Sequence, residues 1–145
     1  METLYTIGFT KKNLPTFVEL LRSANVTKLI DIRLRNTSQL AGYAKREDLA
    51  FVLDLCGITY EHVTELAPSE ELLDEYRENK DWERFEQAFR SLLQEREPLA
   101  RVQQSLDGHA CVCLLCTEDK PERCHRRLVA EYIAERIPDI EVKHL

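Results

Sequence analysis

The sequence predicts a single α/β domain: a mostly parallel sheet of about five strands, helices on both faces, and a helical insertion before the fourth strand. Three observations predict it. Short apolar runs at residues 3–7, 26–32, 58–62, 110–116 and 140–145 read as strands, and the segments between them repeat their apolar residues at helical spacing. Strands alternating with helices are the signature of a parallel sheet covered on both sides. A chain of 145 residues also suffices for one core, burying roughly 70% of the surface of its unfolded form.

Residues 3–7 form the first strand and end at Gly8-Phe9-Thr10. Asn13 before Leu14-Pro15 is a helix-start signal, and Phe17, Leu20, Leu21 and Ala24 supply one apolar face. The second strand, residues 26–32, is apolar enough to be central and closes on Asp31-Ile32-Arg33. A polar stretch, residues 34–44, carries the hydroxyls of Thr37, Ser38 and Tyr43; a helix over about 45–56 follows, stopped by Gly57. After the third strand, Pro68-Ser69 opens two or three charged helices reaching residue 106, with breaks near 79–81 and at Pro98. Trp82, Phe85 and Phe89 recur at helical spacing and read as core. The fourth strand, 110–116, feeds a helix over about 122–136, and a fifth strand ends the chain.

Composition narrows the function. A net charge of −6 argues against non-specific nucleic-acid binding, although residues 69–97 alone hold ten acids against five bases, so the rest of the chain is nearly neutral. Residues 1–5 lack the basic head of a signal peptide and no apolar run reaches the length of a membrane span. A cytoplasmic protein is therefore expected, with its five cysteines reduced.

The chemistry gathers in one stretch. Cys116, Glu118, Cys124, His125 and Arg126 fall within eleven positions, at the junction of the fourth strand and the last helix. Ligands of such sheets bind outside the carboxyl ends of the strands, and that rim also holds Thr10, Arg33 and Ser38, with Tyr43 on the following stretch either covering the pocket or belonging to a plain loop. Leu128, Val129, Tyr132 and Ile133 make the helix's apolar stripe, so Cys124 and His125, one turn earlier, face the sheet; Arg126 and Arg127 fall to the side, toward solvent. Cys116 or Cys124 is then the candidate nucleophile, His125 or Glu118 the proton carrier, and Arg33 with Arg126 an anion clamp. Cys116, Cys124, His125 and Glu118 also make four donors for a metal, but neighbouring helical side chains diverge by about 100°. No metal or cofactor is expected.

The motifs Tyr5-Thr6-Ile7-Gly8-Phe9-Thr10, Leu29-Ile30-Asp31-Ile32-Arg33, Gly57-Ile58-Thr59-Tyr60, Leu114-Leu115-Cys116-Thr117-Glu118 with Cys124-His125-Arg126, and Val142-Lys143-His144-Leu145 together resemble the family called domain of unknown function 488. They span nearly the whole chain, and Cys-x-Glu followed by Cys-His-Arg is the most specific. Family members commonly carry Leu-Gly-Gly after the third strand, where this chain has Leu66-Ala67-Pro68. The family is defined by its sequence pattern, so the resemblance implies a fold and a site rather than a reaction. A looser likeness, of architecture, is to rhodanese-like domains, with Asp31-Ile32-Arg33 at one strand end and Cys116 at another; Glu118, Asp119 and Glu122 stand where glycines and basic residues are expected.

The leading expectation is an enzyme-like pocket with thiol chemistry on a small anionic or nucleotide-like ligand. Two alternatives stand beside it. One is a non-catalytic module that binds a nucleotide or a nucleic-acid end; the other has structural cysteines beneath a protein-interaction surface.

Overall fold

Parallel pairing organises the molecule, which is described over residues 2–145 in a computed structural model. The strands β1 (Thr3–Gly8), β2 (Lys28–Asp31), β3 (Thr59–His62), β4 (Cys111–Cys116) and β5 (Glu141–His144) make one sheet in the order β3-β2-β4-β1-β5. Every pair is parallel. The helices are α1 (Leu14–Ser23), α2 (Arg46–Leu55), α3 (Glu70–Asn79), α4 (Trp82–Arg96), α5 (Leu99–Leu106) and α6 (His125–Arg136). The expected fold class and five strands are therefore found, with three helices between β3 and β4. Among the described residues, no helix is long and apolar enough to cross a membrane.

Alternation along the central strand β4 divides the core in two. Val112, Leu114 and Cys116 point to the layer of α4, α5 and α6, where Phe85, Phe89, Leu93, Leu128 and Ile133 close over them. Cys113 and Leu115 point to the other face, against Phe17 and Leu21 of α1 and Leu49 and Leu53 of α2. Local signals set the helix ends. Asn13 accepts from the Thr16 amide at 2.9 Å and Ser69 from the Leu72 amide at 3.2 Å. Gly57, at φ 74°, turns the chain out of α2 into β3.

One helix differs from expectation in its start and in its buried arc. α6 begins at His125 rather than near residue 122, and Cys124 is its extended N-cap at φ −135°, ψ 138°. Arg126, expected at solvent, is fully buried. The reason is Ala130, which is also buried and sits one turn beyond Arg126, widening the covered arc past the Leu128-Val129-Tyr132-Ile133 stripe. Only Arg127 turns outward, to Glu86 at 2.6 Å and Glu131 at 2.9 Å.

Candidate functional site

β4 delivers Cys116 at its carboxyl end, and α6 starts beside it with Cys124 and His125. The imidazole stands edge-on to the Phe89 ring, centroids 5.6 Å apart. Its Nε2 lies 2.8 Å from the Ile32 carbonyl. A carbonyl only accepts, so Nε2 carries the proton and Nδ1 presents a lone pair. That lone pair faces the Cys116 sulfur at 3.1 Å. Burial holds the imidazole below its ordinary pKa, hence neutral. The Cys124 thiol is pushed up by the hydrogen bond it shares with Cys116 and by burial, so it stays protonated as a donor to that sulfur. His125 thus gives its N–H to the Ile32 carbonyl and takes the Cys116 S–H on Nδ1, with the Cys124 sulfur close beside both.

The ligand-capable atoms of Cys116, Cys124 and His125 all lie within 4.8 Å of one another. The objection that neighbouring Cys-His side chains diverge holds only inside a helix. Cys124 is extended and His125 is the first helical residue, so the two converge.

The Ile32 carbonyl that orients the imidazole is itself held by the end of β2. The Ile32 amide donates to the Leu115 carbonyl at 3.1 Å. Next to it, fully buried Asp31 receives Arg33 Nε at 2.9 Å and Nη2 at 2.8 Å, Asn36 Nδ2 at 3.1 Å and the Tyr60 hydroxyl at 2.5 Å. Arg33 also donates to the Ala44 carbonyl at 2.8 Å and lies over the Phe9 ring. Burial raises the Asp31 carboxyl, but the bonds and charge of Arg33, with Tyr60, outweigh it, and its pKa falls below the ordinary value. Asp31 therefore stabilises the fold above about pH 4 and loses that contribution as pH falls through its lowered folded value. Urea midpoints taken from about pH 5 down to about pH 2 should drop steeply in the wild type and less in Asp31→Asn.

The thiols and imidazole form the floor of an open cavity of about 270 Å³. One wall is aromatic and comes from the charged helices: Tyr76 of α3 with Trp82 and Phe85 of α4, the last two stacked at 5.2 Å. Arg35, Arg77 and Arg123 stand round its mouth, all exposed. The aromatic wall has no signature in the sequence, because the spacing of Trp82 and Phe85 is the same whether they fill a core or line a cleft. Trp82 remains half-buried and Phe85 does both.

The other expected site residues divide. Arg33 and Glu118 reach the cavity, but Arg33 is committed to Asp31, and Glu118 is exposed at the rim, away from any capping role. Arg126 does not line the cavity and makes no clamp with Arg33. Its guanidinium donates to the Glu118 carbonyl and, at 3.2 Å, to the Asp119 carbonyl, pinning the loop between β4 and α6. Thr10 ties the same loop through the Thr117 carbonyl at 2.9 Å. The Tyr43 hydroxyl lies 3.1 Å from the Phe9 carbonyl and 2.9 Å from that of Lys12, and exposed Ser38 caps its own short turn. All five cysteines are free.

The family described as domain of unknown function DUF488 matches residues 13–133, a span that holds β2, β3, β4, most of α6 and every residue of the cavity. The chain belongs to the DUF488 family. No curated protein and no solved structure matches it. The DUF488 match thus covers both sulfurs and the imidazole, while β1 and β5 lie outside it.

Proposed function

We propose that this DUF488 chain is an enzyme whose reacting centre is the Cys116–His125 pair with Cys124, and whose substrate is a small molecule bearing a planar ring and an anionic group. The observation that carries the reading is the 3.1 Å approach of Cys116 Sγ to the unprotonated Nδ1 of His125 on the floor of an open cavity. His125 accepts the Cys116 proton, and the sulfur becomes the electron-rich atom that meets an electrophile. Asp31 and the Ile32 carbonyl favour the imidazolium that results; Cys124 donates to the anionic sulfur. Tyr76, Trp82 and Phe85 suit a flat ring. Arg123, which makes no ion pair among the described residues, suits the anion, as does the amino end of α6, whose first turn holds no acid.

Site-by-site alkylation of the native, chelator-treated protein tests this. Cys116 is expected to react first and to be protected by aromatic anions such as nucleoside monophosphates, which should also raise the melting temperature. Cys113, fully buried on the other face of the sheet, should react only on denaturation. The reading is overturned by a Cys116 that stays unmodified until unfolding, together with a Trp82→Ala variant whose ligand response matches the wild type.

A further inference from the structure

We infer that Cys116, Cys124 and His125 are the ligands of a zinc ion with one coordination position open to the cavity. The inference rests on the reading of this cluster as the reacting centre and deepens it: with zinc bound, the thiol protons leave to solvent and His125 Nδ1 serves as a ligand, while in the metal-free protein it serves as the base. A thiol–imidazole pair alone needs one sulfur, and the second buried cysteine is then no more than a donor beside it. A three-donor metal site uses both. The donor atoms of all three residues lie within 4.8 Å of one another and all three residues are buried, so a small cation can bind them together with little movement of the chain.

The imidazole is prepared for it. Metal-bound histidines give their second ring N–H to a carbonyl or carboxylate, which fixes the tautomer and aims the free nitrogen. His125 does this at 2.8 Å to the Ile32 carbonyl, leaving Nδ1 toward the sulfurs. That carbonyl is braced by the end of β2, one residue from the Asp31–Arg33 pair.

Donor chemistry then selects the ion. Two thiolates and an imidazole suit zinc and reject magnesium and calcium, which take oxygen ligands. The number of donors separates roles: structural zinc sites are closed by a fourth protein ligand, while catalytic ones have three and keep the fourth position for water or substrate. Glu118 is exposed and does not close this site. The same three residues line the cavity, so the remaining position faces its aromatic wall.

Protein refolded or exchanged with zinc and then desalted is expected to retain about one zinc per chain. Replacement by cobalt(II) should give the intense near-ultraviolet sulfur-to-metal band and the visible bands of a tetrahedral site. Cys124→Ser and Cys116→Ser should each lower zinc retention at least about tenfold, and Cys113→Ser should leave it unchanged. The cobalt spectrum needs no variant, so it decides even if a substitution prevents folding. Wild-type protein that retains no zinc and shows no sulfur-to-cobalt band overturns the inference. If Cys116 then still alkylates in the native state under ligand protection, only the metal is lost. A bound zinc with no ligand response would remove the substrate reading and leave the metal site standing.

Discussion

Replacing Asp31 with alanine is expected to cost about 3–5 kcal/mol, because it breaks a buried ion pair from one side only. Arg33 is itself only 4% exposed, and without the carboxylate its charge has the Ala44 carbonyl and the Phe9 ring left to it. The Tyr60 hydroxyl loses its acceptor in the same step, and Asn36 keeps only the Tyr60 oxygen, at 3.3 Å. The damage should reach the site, since Ile32 lies between Asp31 and Arg33 and its carbonyl sets the tautomer of His125. Urea denaturation gives the energy. Alkylation of Cys116 in the folded fraction reports the site, where a changed rate is expected. A loss below about 1 kcal/mol would mean that the pair is far better solvated than its burial implies.

Gly8→Ala should be nearly as damaging for a different reason. A Cβ at this position, the end of β1, would fall on the Glu118 carbonyl and against the Arg126 guanidinium. Neither is a free side-chain tip. The carbonyl belongs to the loop that Arg126 pins, and Arg126 is fully buried. Overpacking usually costs about 1–3 kcal/mol, and here the strain is released only by lifting the loop between β4 and α6. The melting temperature is expected to fall, and Cys124, on that loop, to become reactive in the native state. An alanine variant with wild-type stability and a silent Cys124 would show that the loop is not held as described.

How far the sequence went depended on what kind of pattern encoded each feature. Strand and helix periodicity is local, so β1 to β5 and the capped start of α1 at Asn13 were legible. Cys116, Cys124 and His125 were legible too, because strand, loop and helix bring them together within one supersecondary unit. Arg126 was misread because an alanine gives little hydrophobic signal, and Ala130 is what carries the buried arc round to it. The aromatic wall was missed because it comes from helices far away in the chain, whose spacing also satisfies ordinary packing. Convergence of Cys124 and His125 turned on one backbone angle at the cap, which no residue pattern announces.

The order of the strands has a consequence for synthesis on the ribosome. β1 and β2 never touch as partners; each pairs with β4, which slots between them. The hydrogen bond from His125 to Ile32 joins residues 93 positions apart. A nascent chain that has not yet released residue 116 holds β1 with no neighbour and β2 with only β3. Two apolar strand edges then wait for a late arrival, an arrangement that slows folding and invites pairing with other chains. Cys116, Cys124 and His125 therefore come together only after β4 has docked between β1 and β2, and products truncated before residue 125 cannot carry the cluster.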